Sequence, residues 1–115
     1  MAIDTNTRGL IASLRPATTA EAQLYVVPAL TEIDAVLRIC NQDDSERTFK
    51  VAHCPAAHGD VAADGKDWLF YNKRIPATET YEISIHAKAT ETIRVQASVA
   101  SLMSFHLSGN KKVTS

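Results

Sequence analysis

Four residues of zinc-ligand type, Cys40, His53, Cys54 and His58, lie close together in the chain. Thiolates and imidazoles are the donors a structural zinc takes, so metal chemistry would sit here if anywhere. Two features of the pattern argue for free thiols and a surface histidine instead. No Cys-x-x-Cys knuckle is present, and an extended backbone sends the neighbours His53 and Cys54 to opposite faces, so they cannot share an ion without a bulge. A blue-copper centre needs Cys, His and Met clustered late in the chain, and no cysteine follows Cys54. Asp60, Asp64 and Asp67, with Gly65 between, could gather oxygens around calcium. They lack the alternate-residue spacing of an EF-hand and read as a solvated acidic loop.

Covalent and acid–base chemistry find no better footing. No serine sits in a Gly-x-Ser-x-Gly elbow, and neither cysteine has a recognisable catalytic setting. Glu79 and Glu82 have opposite strand parity, which is wrong for two carboxylates flanking one bond. His86 and His106 fall on the polar parity of their strands, where surface or interface histidines are the ordinary case. Only a spatial pairing of His53, His58 and an aspartate would support an enzyme. The expectation is a protein with no catalytic residue and no cofactor.

The elements that carry these residues are strands. Tyr81, Ile83, Ile85 and Ala87 alternate with Glu82, Ser84, His86 and Lys88, the two-residue period of a half-buried strand. After Ala89-Thr90 the alternation resumes in Ile93, Val95 and Ala97 against Thr92, Arg94 and Gln96, which reads as an antiparallel hairpin with one dry and one wet face. Upstream, Gln23-Leu24-Tyr25-Val26-Val27 ends at Pro28, which cannot donate a ladder hydrogen bond. Ile33, Ala35, Leu37 and Ile39 form a second two-faced strand. A turn cluster over residues 41–45 then leads into Thr48-Phe49-Lys50-Val51-Ala52-His53, with Phe49, Val51 and His53 on one face, and these two strands are expected to pair as a hairpin. Residues 55–66, with glycines, aspartates and alanines, must be a loop. Residues 67–72 are the most aromatic strand, with Trp68 and Phe70 pointing one way and Leu69 and Tyr71 the other; a strand apolar on both sides is central, or one face is an interface. The last strand buries Met103, Phe105 and Leu107 and stops at Gly109.

About eight strands, no window with a helical period and spacing near ten residues per strand suit an all-β, two-sheet antiparallel sandwich of jelly-roll or immunoglobulin-like type. The 115 residues make one domain. Residues 1–20 form an arm or first strand, with Leu10, Ile11 and Leu14 available to lie on a neighbour's sheet edge; residues 21–110 form the sandwich, and residues 111–115 a polar tail. Twelve basic and thirteen acidic residues give a net charge of −1, which provides no field for nucleic acid or an anionic membrane, and Lys111 and Lys112 are too few for a basic patch. Met1-Ala2-Ile3-Asp4 carries no basic segment followed by an apolar run, and the apolar stretch 24–30 is broken by Pro28. The expectation is therefore no signal peptide, no membrane span, and assembly in a reducing cytoplasm.

One ordered series of short strings carries a family resemblance. Leu24-Tyr25-Val26-Val27-Pro28-Ala29, Ile39-Cys40-Asn41, Thr48-Phe49-Lys50-Val51-Ala52, Leu69-Phe70-Tyr71, Ile75-Pro76-Ala77-Thr78-Glu79-Thr80 and Ile93-Arg94-Val95-Gln96-Ala97-Ser98 resemble, in this order, a family of small structural proteins of tailed bacteriophages. Members commonly read Leu-Tyr-Thr-Val-Pro-Ala, Val-Cys-Asn, Thr-Phe-Arg-Val, Tyr-Leu-Tyr-Tyr, Ile-Pro-Ala-Asn-Asp-Thr and Ile-Arg-Val-Tyr-Ala-Ser. The resemblance spans residues 23–109, and it departs at Ile85-His86-Ala87-Lys88-Ala89, where relatives tend to carry a Gly-containing turn, and at Gln96, which replaces their Tyr. It implies a non-enzymatic virion component: a decoration, collar or tail-associated subunit, made in the host cytoplasm, binding other virion proteins as a homo-oligomer, a trimer or hexamer on a symmetric particle. The expected contact residues are Leu10, Ile11, Leu14, Trp68, Phe70 and Tyr71. A rival reading is a ligand-binding sandwich, a carbohydrate-binding or adhesin-like module, in which Trp68, Phe70 and Tyr71 stack on sugar rings.

Overall fold

The computed structural model describes residues 4–59 and 61–114. The chain forms eight strands: β1 (Asp4–Leu14), β2 (Ala22–Val26), β3 (Thr31–Asn41), β4 (Arg47–Cys54), β5 (Trp68–Ile75), β6 (Thr80–Ala87), β7 (Thr92–Ala97) and β8 (Met103–Thr114), with one short 3-10 turn over Gly65–Asp67. They make two four-stranded antiparallel sheets in the orders β1-β8-β3-β6 and β2-β7-β4-β5. The all-β, two-sheet expectation holds, and the strand order decides between its variants. β1 pairs β8, β2 pairs β7, β3 pairs β6 and β4 pairs β5, so the chain is one long hairpin of strand pairs rolled onto itself, the jelly roll. An immunoglobulin-like sandwich would pair several successive strands within a sheet; here only β4 and β5 are successive neighbours. No helix among the described residues is long and apolar enough to cross a membrane.

Two expected hairpins are corrected by this order. β3 and β4 do not pair, nor do β6 and β7; each of these successive strands crosses from one sheet to the other. The reason lies in their single apolar faces. Placed face to face across the interior, Ile33, Leu37 and Ile39 of β3 bury against the opposite sheet; placed edge to edge in a hairpin, they would still need a cover. Alternation reveals which side is dry but not whether the partner lies beside the strand or above it.

The core is the filled space between the sheets. Ile33, Ala35, Leu37, Ile39, Ile85, Ala87, Met103, Phe105 and Leu107 come from one sheet, and Phe49, Val51, Ile93, Val95 and Ala97 from the other, all essentially without exposure. At one end the sandwich is closed by aromatic rings drawn from both sheets. Phe49, Phe70 and Tyr81 meet with centroids 5.5, 5.3 and 6.0 Å apart, the Phe70 pairs edge-on as ring quadrupoles favour.

Near these rings the β3–β4 connection is knotted by Asn41. Its buried amide donates to the carbonyls of Ser45 (2.9 Å), Ile75 (3.1 Å) and Pro76 (3.2 Å), while its Oδ1 accepts the Asp43 N–H at 3.0 Å. Asp43 accepts from the Arg47 guanidinium at 2.6 Å, which holds its carboxyl below the usual 3.8.

Of the two readings of a strand apolar on both sides, central or with one face an interface, the central one is corrected: β5 is an edge strand. Its ladder with β4 shifts register between Phe49 and Val51 and again between Val51 and Ala52, each time with one extra residue on β5. Asn72 marks the bulge with φ 54°, a left-handed conformation its side chain tolerates.

β8 does not stop at Gly109 but runs on to Thr114, pairing with β1 on one side and β3 on the other. Glycine is needed there to keep the ladder close. A Cβ on residue 109 would lie 2.5 Å from the Asp34 carbonyl oxygen and 2.6 Å from the Ala35 Cα. Gly109→Ala should therefore cost about 1–3 kcal/mol by forcing backbone apart, read as a lower urea midpoint. Gly65→Ala, where a Cβ meets nothing within 4 Å, should stay within about 0.5 kcal/mol; equal midpoints for the two variants would contradict the close approach.

Candidate functional site

The four residues of zinc-ligand type fall in three places. His53 lies at the end of β4 with Nε2 2.9 Å from Glu91 Oε1, and Cys40 is on β3, in the other sheet. Cys54 and His58 come together, and the residue that joins them is Asp67, with one donor atom from each lying within 4.8 Å of the others. Cys54 ends β4 fully buried, and Asp67 closes the 3-10 turn at 8% exposure. Burial, then the nearby Asp67 carboxylate, raises the pKa of the Cys54 thiol. The acidic loop does not act as a unit. Asp64 is exposed, Asp67 is buried, and Asp60 lies outside the described residues.

Sequence parity missed this cluster because it misplaced the outer face of the second sheet. Ala52, Cys54, Thr92 and Arg94 carry outward parity on β4 and β7, yet all four are buried. The loop 55–67 accounts for it, lying against the outside of the sheet. The Ala57 N–H donates to the Thr90 carbonyl at 3.1 Å, the Ala63 N–H donates to Glu21 at 3.0 Å, and Glu21 also takes the Arg94 guanidinium. A loop rich in alanine over Ala52, Cys54 and Thr92 is the signal that could have revealed the contact: small side chains on both partners let backbone approach backbone.

The aromatic residues also divide. The β5 bulge turns Phe70 inward onto Phe49 and Tyr81 and leaves Trp68 and Tyr71 on the outside, their rings 5.7 Å apart at 73°, with the Lys50 ammonium 4.2 Å from the Tyr71 centroid. The expectation that Trp68 and Phe70 share one face gives way to this arrangement, because the extra residue reverses parity. Leu69 and Tyr71 remain 45% and 62% exposed.

β1 provides the third feature. Ile11 and Leu14 pack against the core, whereas Leu10 is 61% exposed. Residues 5–10 are exposed throughout, paired with β8 on one side and, among the described residues, with no strand on the other. A long edge of this kind presents a row of N–H and C=O groups to any chain that can pair with it.

Glu91 ties the β6–β7 turn to His53. Burial pushes its carboxyl up, but the Lys88 N–H, donating at 2.8 Å, and His53 outweigh this and hold the pKa below the usual 4.5. With Asp43 also lowered, both groups bind fewer protons folded than unfolded. Their stabilisation is complete above about pH 4.5 and is lost as pH falls through their folded values, below 3.8 for Asp43. The urea midpoint should fall along this acid limb, and Asp43→Asn should lower the midpoint at neutral pH while flattening the limb; a limb of unchanged steepness in that variant would contradict the assignment.

No protein-family model and no curated protein matches the chain. Solved structures do. A chain in the structure of infectious bursal disease virus, Gx strain, superposes with a TM-score of 0.52 at 10% identity, over 98% of this chain and 32% of that one, so this chain spans about a third of that relative. A chain from Bacillus endospore appendages, which form disulfide-linked pili, gives 0.49 at 8% identity over 98% and 88% of the two chains. Tobacco streak virus coat protein gives 0.42 at 9% identity over 99% and 85%. At 10% identity what the chain shares with the infectious bursal disease virus chain is the fold alone.

Proposed function

We propose that the chain is a virion structural subunit, most specifically a decoration, collar or tail-associated protein of a tailed bacteriophage, that works by binding copies of itself and other virion proteins. The observation that carries this reading is β1, an eleven-residue edge strand whose residues 5–10 are exposed throughout, on a sandwich with a filled interior. An open strand gives affinity through main-chain hydrogen bonds when a neighbour adds to the sheet, and specificity through alternate side chains, here Leu10. Trp68, Tyr71 and exposed Leu69 supply a second contact of the aromatic kind that anchors protein interfaces. The ordered sequence resemblance to small phage structural proteins supports the reading, as does the similarity of the whole fold to part of the infectious bursal disease virus chain. Repetition on a symmetric particle favours a trimer or hexamer. The protein is made in the host cytoplasm and resides in the virion.

The carbohydrate-binding reading gains little from the geometry. Trp68 and Tyr71 meet at 73° instead of forming a common platform, and Lys50 sits over the Tyr71 ring.

Sedimentation equilibrium over a wide concentration range, with co-sedimentation on assembled particles, tests the proposal. The chain should self-associate, and Leu10→Lys combined with Trp68→Ala should weaken association at least about tenfold, the equivalent of 1.4 kcal/mol, while far-ultraviolet circular dichroism shows the variant still folded. A chain that stays monomeric at high concentration and never co-sediments with particles overturns it.

A further inference from the structure

The cluster of Cys54, His58 and Asp67 has no part in the assembly surfaces, and its chemistry is of another kind. We propose that these three side chains are a zinc site that clips the loop 55–67 to the outer face of the second sheet.

Three observations bear on it. The first is the donor set. Sulfur, imidazole and carboxylate atoms lie mutually within 4.8 Å, somewhat wider than the roughly 3.3–3.8 Å that zinc bond lengths impose between tetrahedral ligands. Closure of the three donors onto an ion removes the difference. Thiolate with imidazole selects zinc over calcium or magnesium, which take oxygen.

The second is the orientation of His58. Its Nε2 lies 3.1 Å from the carbonyl oxygens of both Val61 and Ala62, so Nε2 carries the proton and donates, and Nδ1 is left with its lone pair. Metal-bound histidines are held in this way, one ring nitrogen donating to a carbonyl while the other ligates.

The third is an orphan. Thr92 is the register partner of Cys54 across the β4–β7 ladder, so the two side chains leave the sheet on the same face. The Thr92 Oγ1 is buried without a hydrogen-bond partner among the described residues. A thiolate brought within reach would give that hydroxyl an acceptor, and a metal-bound water would give it a donor.

Charge is consistent with a divalent ion. Asp67, Asp64 and Glu21 surround the thiol, opposed by Arg94, with Lys66 Nζ 3.2 Å from Asp67 Oδ1. On binding, Cys54 releases its proton to solvent and ligates as thiolate; three protein donors leave the fourth position to water.

The test is titration of the chelator-treated full chain with cobalt(II), followed by zinc. One equivalent of cobalt should give a thiolate-to-cobalt charge-transfer band with the visible bands of a four-coordinate ion, and zinc should abolish both. His58→Ala and Asp67→Asn should each weaken binding by at least about tenfold, and Cys54→Ser should remove the charge-transfer band. His58 lies in a partly exposed loop, so its variant keeps the test sound if the Cys54 variant does not fold. Cys40→Ala and His53→Ala should bind as the parent does. Lys66→Ala should bind tighter, its ammonium no longer competing. No band in the parent, a band that survives His58→Ala at full affinity, or one lost in Cys40→Ala overturns the site. Each of these readouts is independent of whether the chain self-associates.

Discussion

Ile33, Leu37, Ile39, Phe105 and Leu107 of one sheet meet Phe49, Val51, Ile93 and Val95 of the other across a layer from which water is excluded. The rest of the molecule depends on that layer. Each such side chain contributes about 1.5–3 kcal/mol when fully buried, whereas the exposed Arg38–Glu82 pair on the outside adds at most about 1 kcal/mol. Burial therefore fixes which face of each strand turns inward, and the rolled pairing of β1 with β8, β2 with β7, β3 with β6 and β4 with β5 satisfies the backbone while it does so. The Asn41 knot and the Gly109 approach are local conditions for that pairing. One satisfies polar groups where β3 leaves its sheet, and the other lets β8 lie against β3 without a side chain between them.

Much of this was legible in the sequence, because the period of two survives wherever one face is dry. Tyr81, Ile83, Ile85 and Ala87, and likewise Met103, Phe105 and Leu107, turn inward as their spacing requires. The failures have physical causes. Pairing β3 with β4, or β6 with β7, cannot be told from crossing between sheets, since both bury the same face. Parity on β5 is lost at two bulges that only a ladder reveals, which is why Phe70 turns away from Trp68. Gly109 read as a stop because the contact that requires it is with Ala35, seventy-four positions earlier, which local sequence cannot announce. On the outer face, Cys54 and Arg94 read as exposed because nothing in a strand's own pattern announces a loop laid over it.

The candidate sites follow the same division. The sequence set Cys54 and His58 among four zinc-ligand types but read them as a free thiol and a surface histidine, and it expected His53 and Cys54 to diverge as adjacent strand residues do. It could not supply Asp67, which reaches Cys54 only through the fold of the loop. The surfaces proposed for contact are what the sandwich leaves over: a strand edge on β1 and a bulged aromatic patch on β5. A closed, filled interior places recognition outside, on edges and loops, and that location matches a subunit acting by contact with other proteins.

Hydrogen exchange in dilute and concentrated protein tests that claim most directly. The amides of β3, β4, β7 and β8, the central strands, should exchange slowly in both states. The account predicts that amides over residues 5–10 exchange quickly in dilute solution and become protected on association, together with those near Trp68 and Tyr71. Protein that associates while these amides keep their dilute rates would contradict it.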